Sequence, residues 1–385
     1  MRAYGETTMD PKIRSRMVAN VNGLDMHVLE AGHEQKGRPV LLLLHGFPEL
    51  AYSWRKVIVP LADAGYHVIA PDQRGYGRTI GADTRYEADL NAYRMLNIAR
   101  DAVGLLAALG IREVASLIGH DFGASAAGWC GMLRPDIFRS VVLMSAPFSG
   151  PPPLPFGTDG RALTDAERLP AVTRIGPALA ALAKPRRHYH DYYCTPEANP
   201  NMRGAKSGVH AFMRAYYHQK SADWPGNTIK RLSAWNAENL EQLPTYYVME
   251  LGHGMAETVA PHLPTAEAIA RCRWLPEAEM AVYAGEYHRT GFQGGLNWYR
   301  ARLVPELYAQ DQLFSGRTID VPTCFIAGNS DWGVYQAPGS LEKLETSFTR
   351  DYRGTHLVEG AGHWVQQEQP EAVVRLVLAF LAGLG

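Results

Sequence analysis

The sequence is short of cysteine and carries almost no net charge. Its four cysteines, Cys130, Cys194, Cys272 and Cys324, are scattered and form no CxxC pair. We therefore expect buried thiols in a reducing compartment, without a disulfide framework or a zinc site. The 38 basic and 39 acidic residues leave a formal charge of −1. That balance argues against a nucleic-acid partner and against docking on an anionic membrane.

Long hydrophobic runs are also missing. Apolar runs such as Val40–Leu44 fall far short of the roughly 20 residues that a membrane-spanning helix needs. The first 20 residues contain no apolar segment typical of a signal peptide. We therefore expect a cytoplasmic protein without a membrane span. At about 150 residues per domain, the chain is long enough for two or three domains, or for one large domain with an insertion.

Short apolar runs alternate with helical patterns in the first half of the chain. The runs typical of buried strands are residues 39–44, 66–70, 113–118 and 140–144. Apolar residues at spacings of three and four predict a helix over residues 91–109. Buried strands separated by helices indicate a parallel sheet. Two earlier stretches, residues 17–21 and 24–29, predict an antiparallel hairpin that turns at Asn22-Gly23.

The pattern changes after Met144, where residues 145–156 carry five prolines. That composition is typical of a linker. Residues 160–315 are helical in character, rich in aromatics and without a strong strand run.

The strand pattern resumes at residues 321–327 and ends near residue 358, before a final helix that starts at Pro370. We therefore predict an α/β fold with a mostly parallel sheet and helices on both faces, built from residues 1–148 and 318–385. A helical cap (lid) domain is predicted as an insertion over residues 149–317.

The strongest local motif is Gly119-His-Asp-Phe-Gly123, which follows a predicted buried strand and precedes a helix. A sharp strand–turn–helix elbow strains its central residue and needs small residues two positions before and after it. The motif therefore predicts Asp121 as a nucleophile. A glycine-bounded turn with a capping aspartate is the alternative.

Two later residues fit with this elbow. Asp331 ends a predicted strand in Gly328-Asn-Ser-Asp331, and His363 lies in Gly360-Ala-Gly-His363-Trp364 after the last strand. Alone, each would more often be a solvated or structural residue. Together, Asp121, Asp331 and His363 follow the nucleophile–acid–histidine order of a hydrolase triad.

The loop His45-Gly46-Phe47-Pro48 ends the first buried strand. Its position matches that of the loop that donates one N–H to an oxyanion hole, the other N–H coming from the residue after the nucleophile. The donors would be the backbone N–H groups of Phe47 and Phe122. A tight turn selected for packing alone is the alternative.

From about Val40 to the C-terminus, these motifs resemble the epoxide hydrolases of the α/β-hydrolase superfamily. The resemblance implies the α/β-hydrolase fold, and two cap tyrosines that hold and protonate the epoxide oxygen. The segment Gly294-Gly-Leu-Asn-Trp-Tyr299-Arg300 resembles the family's motif around one of them, which implies this role for Tyr299. For the second, the resemblance favours Tyr189, with Tyr192 and Tyr193 as alternatives.

The resemblance also implies that Trp298 and Trp364 line the substrate pocket, and it implies neither a cofactor nor a metal. The chain departs from the family in two ways. Phe122 stands where a tryptophan is common, and the cap looks longer than usual across residues 195–251. Both departures leave the shape of the pocket, and therefore the substrate, open.

An aspartate nucleophile restricts the chemistry. Attack by a carboxylate on an epoxide or an alkyl halide gives an ester that water can hydrolyse, whereas a serine would give an inert ether. We therefore predict an epoxide hydrolase that takes a small apolar epoxide and water to a vicinal diol. A haloalkane or haloacid dehalogenase is the first alternative, and a non-catalytic ligand-binding protein of the same fold is the second. The sequence leaves open whether the chain forms a homo-oligomer.

Overall fold

The computed structural model describes residues 4–5, 7–154 and 170–384. Within these residues the strands are β1 (Arg14–Val21), β2 (Leu24–Ala31), β3 (Val40–Leu44), β4 (His67–Pro71), β5 (Ser116–His120), β6 (Val141–Met144), β7 (Arg186–His188), β8 (Val248–Glu250), β9 (Thr323–Gly328) and β10 (Tyr352–Val358). Eight of them form one sheet in the order β1-β2-β4-β3-β5-β6-β9-β10. The strands from β4 to β10 in this order pair in parallel, while β2 pairs antiparallel with both β1 and β4.

Helices connect and cover these strands. They are α1 (Arg55–Asp63), α2 (Met95–Ala108), α3 (Phe122–Leu133), α4 (Ala171–Arg174), α5 (Gly176–Ala180), α6 (Tyr189–Tyr193), α7 (Ala198–Arg203), α8 (Gly208–Lys220), α9 (Ala237–Leu240), α10 (Met255–Val259), α11 (Ala266–Arg271), α12 (Glu277–Thr290), α13 (Gln293–Ala301), α14 (Pro305–Asp311), α15 (Ser340–Lys343), α16 (Val365–Glu368) and α17 (Pro370–Ala382). Helix α1 packs against α17, and α2 packs against α3. This is the predicted α/β architecture.

The central strands form because their apolar runs are buried along their whole length. Every residue of β3, β5 and β6 is buried, as expected for parallel strands covered on both faces. At the other end of the sheet, the predicted hairpin of β1 and β2 turns at Asn22 and Gly23, with φ angles of 51° and 80°. Two successive positive φ angles are typical of the tight turns that suit twisted strands.

Two strands begin later in the structure than the sequence analysis predicted. The predicted strand at residues 113–118 begins at Ser116, because Val114 makes only an isolated bridge with Phe138. The strand predicted from Val321 begins at Thr323, just after Pro322, which has no N–H to donate to the sheet.

The segment between β6 and β9 contains α4 to α14, as the helical character predicted. It also contains the antiparallel pair β7–β8, which the sequence analysis did not predict. Strand β7 is only Arg-Arg-His, too short and too polar to signal a strand. The division into a core of residues 1–148 and 318–385 and a cap of residues 149–317 stays a prediction, and residues 155–169 of that cap lie outside the described residues.

The cysteines are free in the structure, but not all are buried as predicted. Cys130 and Cys324 are buried, whereas Cys194 and Cys272 are partly exposed. They differ because Cys130 and Cys324 lie within α3 and β9, while Cys194 and Cys272 follow the short helices α6 and α11. In the part of the chain that the structure describes, no helix is long and apolar enough to cross a membrane.

Candidate active site

Asp121 occupies the sharp turn between β5 and α3. Its φ is 53°, a left-handed value that non-glycine residues rarely adopt. The flanking glycines are required by close contact: a Cβ on Gly119 would lie 2.1 Å from the carbonyl oxygen of Gly123, and one on Gly123 would lie 2.1 Å from that of Leu44. The predicted strand–turn–helix elbow is therefore present, with the Asp121 side chain at its apex.

The loop after β3 contacts the Asp121 carboxylate. The Phe47 N–H donates to Asp121 Oδ1 over 2.9 Å. Gly46 has no room for a side chain, since a Cβ there would lie 2.4 Å from the same oxygen. The second predicted donor, the Phe122 N–H, makes no hydrogen bond to this carboxylate among the described residues. Phe122 is the first residue of α3, so its N–H has no acceptor within the helix.

His363 lies between the two predicted acids. Its Nδ1 is 3.1 Å from Asp331 Oδ1, and its Nε2 is 3.2 Å from Asp121 Oδ2. Asp331 is fixed in turn, because its Oδ1 accepts the Gly333 N–H over 2.7 Å. Nε2 is buried and, despite that short distance, lacks the alignment for a hydrogen bond to a described residue. The structure thus brings the three residues of the predicted triad together.

Electrostatics favour the ionised form of Asp121. Burial, the largest single effect, would raise the pKa of this carboxyl, but the adjacent His363 imidazole and two further positive groups together outweigh it. Lys220 and His120 add positive charge at longer range, so the pKa is held well below its ordinary value. Asp121 therefore carries a full negative charge at neutral pH, as a nucleophile must.

Tyr299 lies over the two residues of the predicted oxyanion hole. Its ring centroid is 5.6 Å from that of Phe47 and 4.8 Å from that of Phe122, both edge-to-face. Burial and then the charge of Asp121 raise the pKa of Tyr299 well above its ordinary value. The phenol thus stays protonated and can act as a hydrogen-bond donor over the carboxylate.

The three remaining candidate tyrosines differ in their contacts, and the buried Tyr192 hydroxyl has no hydrogen-bond partner among the described residues. The Tyr189 hydroxyl donates to Gln336 Oε1 over a long 3.2 Å, and its ring is 6.0 Å from that of Tyr299. Tyr193 donates to the Tyr216 hydroxyl, and the ring of Tyr192 lies under the Arg187 guanidinium. The rings of Tyr189 and Tyr193 both pack on Tyr299, and both hydroxyls make hydrogen bonds of 3.2 Å. The role of Tyr189 as the second donor stays a prediction.

Both tryptophans predicted to line the pocket are fully buried. Trp298 donates its indole N–H to the Arg74 carbonyl over 2.9 Å, and Trp364 donates to the Tyr217 carbonyl over 2.9 Å. Trp298 packs against Phe122 at 5.3 Å between centroids. Both indole N–H groups thus already donate to backbone carbonyls. That the two tryptophans contact a substrate stays a prediction.

The sequence analysis missed Glu49, which joins the three loops of the site. Its Oε2 accepts the Gly46 N–H over 2.9 Å and lies 2.5 Å from His120 Nδ1. The other ring nitrogen of His120 is 2.6 Å from the His363 carbonyl oxygen. Burial alone would lower the pKa of His120, but Glu49 and the other acceptor on its ring hold that pKa above its ordinary value. An acidic residue directly after His45–Pro48 was the available signal.

Glu368 was missed as well. Its carboxylate accepts three backbone N–H groups, those of Ala222 and Gly362 on Oε2 and that of Trp364 on Oε1, all at 2.8–2.9 Å. Gly362 and Trp364 flank the histidine of the triad, and Ala222 follows α8. Glu368 therefore ties the loop of His363 to the helical segment. Among the described residues no cluster of three or more His, Cys, Asp or Glu side chains could hold a metal ion.

Comparisons with known proteins show the family to which the chain belongs. The alpha/beta hydrolase fold family matches residues 39–370. Epoxide hydrolase A of Mycobacterium tuberculosis (strain ATCC 25618 / H37Rv) is 34% identical over 95% of this chain and 97% of its own. Epoxide hydrolase 2 of Siraitia grosvenorii is 32% identical over 94% of this chain and 96% of its own.

A solved structure is similar over the same extent. The epoxide hydrolase from an endophytic Streptomyces superimposes with a TM-score of 0.76 at 30% identity, covering 97% of both chains. The fold and the site define an α/β hydrolase with an aspartate at the elbow. Within that class, the chain belongs to the epoxide hydrolase family, which confirms the resemblance inferred from its motifs.

Proposed function

We propose that this protein is an epoxide hydrolase that converts an epoxide and water into a vicinal diol through an ester on Asp121. One observation carries the proposal: an ionised carboxylate has Oδ1 bound by the Phe47 N–H and Oδ2 3.2 Å from His363 Nε2. Tyr299 supplies a protonated phenol over the same residues. The identity to named epoxide hydrolases over almost the whole chain supports the substrate class.

In the first step, Asp121 Oδ2 attacks an epoxide carbon from the side opposite the C–O bond. That bond breaks as the ester bond forms, and the ring oxygen takes a proton from Tyr299, which is left as a phenolate, while Tyr189 is the proposed second hydrogen-bond donor to the same oxygen. General acid assistance of this kind typically contributes about 10²- to 10⁴-fold. The product is a hydroxyalkyl ester in which Oδ1 is the carbonyl oxygen.

In the second step, His363 Nε2 removes a proton from water, and the resulting hydroxide attacks Cγ of Asp121. Asp331 holds the imidazole by Nδ1 and stabilises its positive charge. Negative charge develops on Oδ1, where Phe47 and Phe122 supply the proposed oxyanion N–H groups. The intermediate collapses as the departing diol oxygen takes the proton from His363, and the remaining proton of the attacking water returns to the Tyr299 phenolate left by the first step, which restores the Asp121 carboxylate.

The structure favours an epoxide over an alkyl halide as substrate. A leaving halide needs N–H donors, but the indoles of Trp298 and Trp364 already donate to backbone carbonyls. Phe122 has no side-chain donor. The cap of residues 149–317 closing over a core of residues 1–148 and 318–385 belongs to the same proposal. A cytoplasmic location and homo-oligomer formation stay open predictions from the sequence.

The test uses His363→Gln. Without a base, the variant should form the ester and fail to hydrolyse it, so intact-protein mass spectrometry after incubation with an epoxide should show the mass of the substrate added. The double variant with Asp121→Asn is the matched control and should gain nothing. An unmodified His363→Gln protein, alongside diol formation by the parent, would overturn the covalent route. Halide release from a haloalkane by the parent would instead favour the dehalogenase.

A further inference from the structure

A buried lysine lies beside the active site without a counter-ion. Lys220, the last residue of α8, is 3% exposed. In the described residues its ammonium makes no ion pair and no hydrogen bond. Four aromatic rings surround it instead, those of Tyr247, Tyr216, Trp364 and Tyr246, with centroids 5.0, 5.4, 5.5 and 5.8 Å from Nζ. Cation–π contacts offset only part of the cost of burying an ammonium.

The backbone of Lys220 is joined to the catalytic loop. Its carbonyl accepts the His363 N–H over 2.9 Å. The four rings around the ammonium form an aromatic box, and one of them, Trp364, is the next residue after that histidine. A second ring of the aromatic box, that of Tyr247, has its centroid 5.2 Å from that of Tyr189. Lys220 also lowers the pKa of Asp121 through its charge. The ammonium therefore contacts Trp364 of the histidine loop and Tyr247, whose ring packs on Tyr189 of the proposed active site.

A second donor without an acceptor belongs to the same box. The Tyr247 hydroxyl is buried and has no hydrogen-bond partner among the described residues. The other two hydroxyls each have a partner: Tyr246 donates to Asn227 Oδ1 over 2.8 Å, and Tyr216 accepts from Tyr193 over 3.2 Å. Buried polar groups are rarely left unpaired. A free cation and a free hydroxyl together call for an acceptor that arrives with a ligand.

We propose that Lys220 and Tyr247 form a subsite for a carboxylate on the substrate, so that the enzyme prefers epoxides that carry an acid group at the end of an apolar chain. This inference rests on the proposed epoxide hydrolase function. The carboxylate accepts from the ammonium and from the Tyr247 hydroxyl, while the aromatic walls contact the chain. Charge-assisted hydrogen bonds in a site shielded from water are the strong ones.

The test compares straight-chain epoxyalkanoates of increasing length with their methyl esters. For the parent, kcat/KM for the acid of matching length should exceed that for its ester by about 10- to 100-fold. Lys220→Met should remove this preference, Tyr247→Phe should reduce it, and Lys220→Arg should retain most of it. Tyr246→Phe, whose hydroxyl is already bonded to Asn227, should keep the parent's ratio.

A measurement on the parent protein covers the case of a variant that does not fold. An alkanoate should inhibit epoxide hydrolysis about tenfold or more tightly than the alkanamide of the same length. Equal inhibition, or an acid-to-ester ratio that Lys220→Met leaves unchanged, would overturn the carboxylate subsite while leaving the proposed function intact. Failure of the parent to hydrolyse either acid or ester would count against the proposed function itself.

Discussion

Replacing Tyr299 with Phe isolates one hydroxyl group at the centre of the proposed site. The ring packs edge-to-face on Phe47 and Phe122, and Phe keeps that packing. Among the described residues the Tyr299 hydroxyl donates to no acceptor, so its removal strands no partner. The variant should therefore fold as stably as the parent and should lose only the donor to the epoxide oxygen.

The size of the loss follows from the charge that the phenol stabilises. A single donor to a developing oxyanion in a buried site is worth about 3–4 kcal/mol, or about 10²- to 10³-fold in rate. Tyr189 remains as a proposed second donor, so we expect ester formation to slow by about 10²-fold, the lower end of that range. Stopped-flow fluorescence under single-turnover conditions measures this step apart from ester hydrolysis.

Tyr193→Phe is the matched control. Its ring is 5.1 Å from the ring of Tyr299, but its hydroxyl is bonded to Tyr216. The control should lose about 1 kcal/mol of stability with its hydrogen bond and keep its rate of ester formation. An equal fall in that rate for both variants, or no fall for Tyr299→Phe, would refute the assignment of the acid.

Three further predictions follow from the same contacts. Gly46→Ala should reduce kcat/KM by about 10²-fold or more, because its Cβ would lie 2.4 Å from Asp121 Oδ1, whereas Gly285→Ala, with nothing within 4 Å, should keep parental kinetics. The rate of ester formation should stay flat from about pH 5 to about pH 9. The lowered pKa of Asp121 keeps its carboxylate ionised as the pH falls, and the raised pKa of Tyr299 keeps its phenol protonated as the pH rises. A change of about tenfold in the stopped-flow rate within that range would contradict this prediction. Glu368→Gln would turn an amide N–H group towards backbone donors. Urea unfolding should therefore show a free energy of unfolding lower by about 2–3 kcal/mol, and the ester on Asp121 should decay more slowly. A parental free energy of unfolding and a parental rate of ester decay would show that Glu368 does not position the His363 loop.

The elbow could be predicted from the sequence because its constraint is local. Gly119 and Gly123 lie two residues on either side of Asp121, and the close contact of Gly119 with the Gly123 carbonyl is made within the turn itself. Asp331 and His363 were predicted from chain order and from their places after strands. A parallel sheet brings such positions to one edge, so their meeting follows from the fold.

The residues that sequence reasoning missed depend on contacts between distant segments. Glu49 contacts His120 across 71 positions and Gln366 across 317. Neither contact leaves a spacing that can be read along the chain. The aromatic box of Lys220 is similar, since Trp364 comes from the core and Tyr247 from the segment before β8. Strand β7 forms only because β8 pairs with it.

The contacts of the three tyrosines that are candidates for the second hydrogen-bond donor could not be predicted from the sequence. Tyr189, Tyr192 and Tyr193 lie within five residues of a single short helix, so spacing alone could not separate them. The structure separates them by the Gln336, Arg187 and Tyr216 groups that their side chains contact.

One turnover in heavy-oxygen water tests the covalent ester most directly. The parent is mixed with substoichiometric epoxide in H₂¹⁸O, digested, and the peptide that contains Asp121 is weighed. We predict one heavy oxygen in that carboxylate, because water attacks Cγ and the diol leaves with an oxygen that came from the protein. A light peptide together with a heavy diol would mean that water opens the epoxide directly, and would contradict the account.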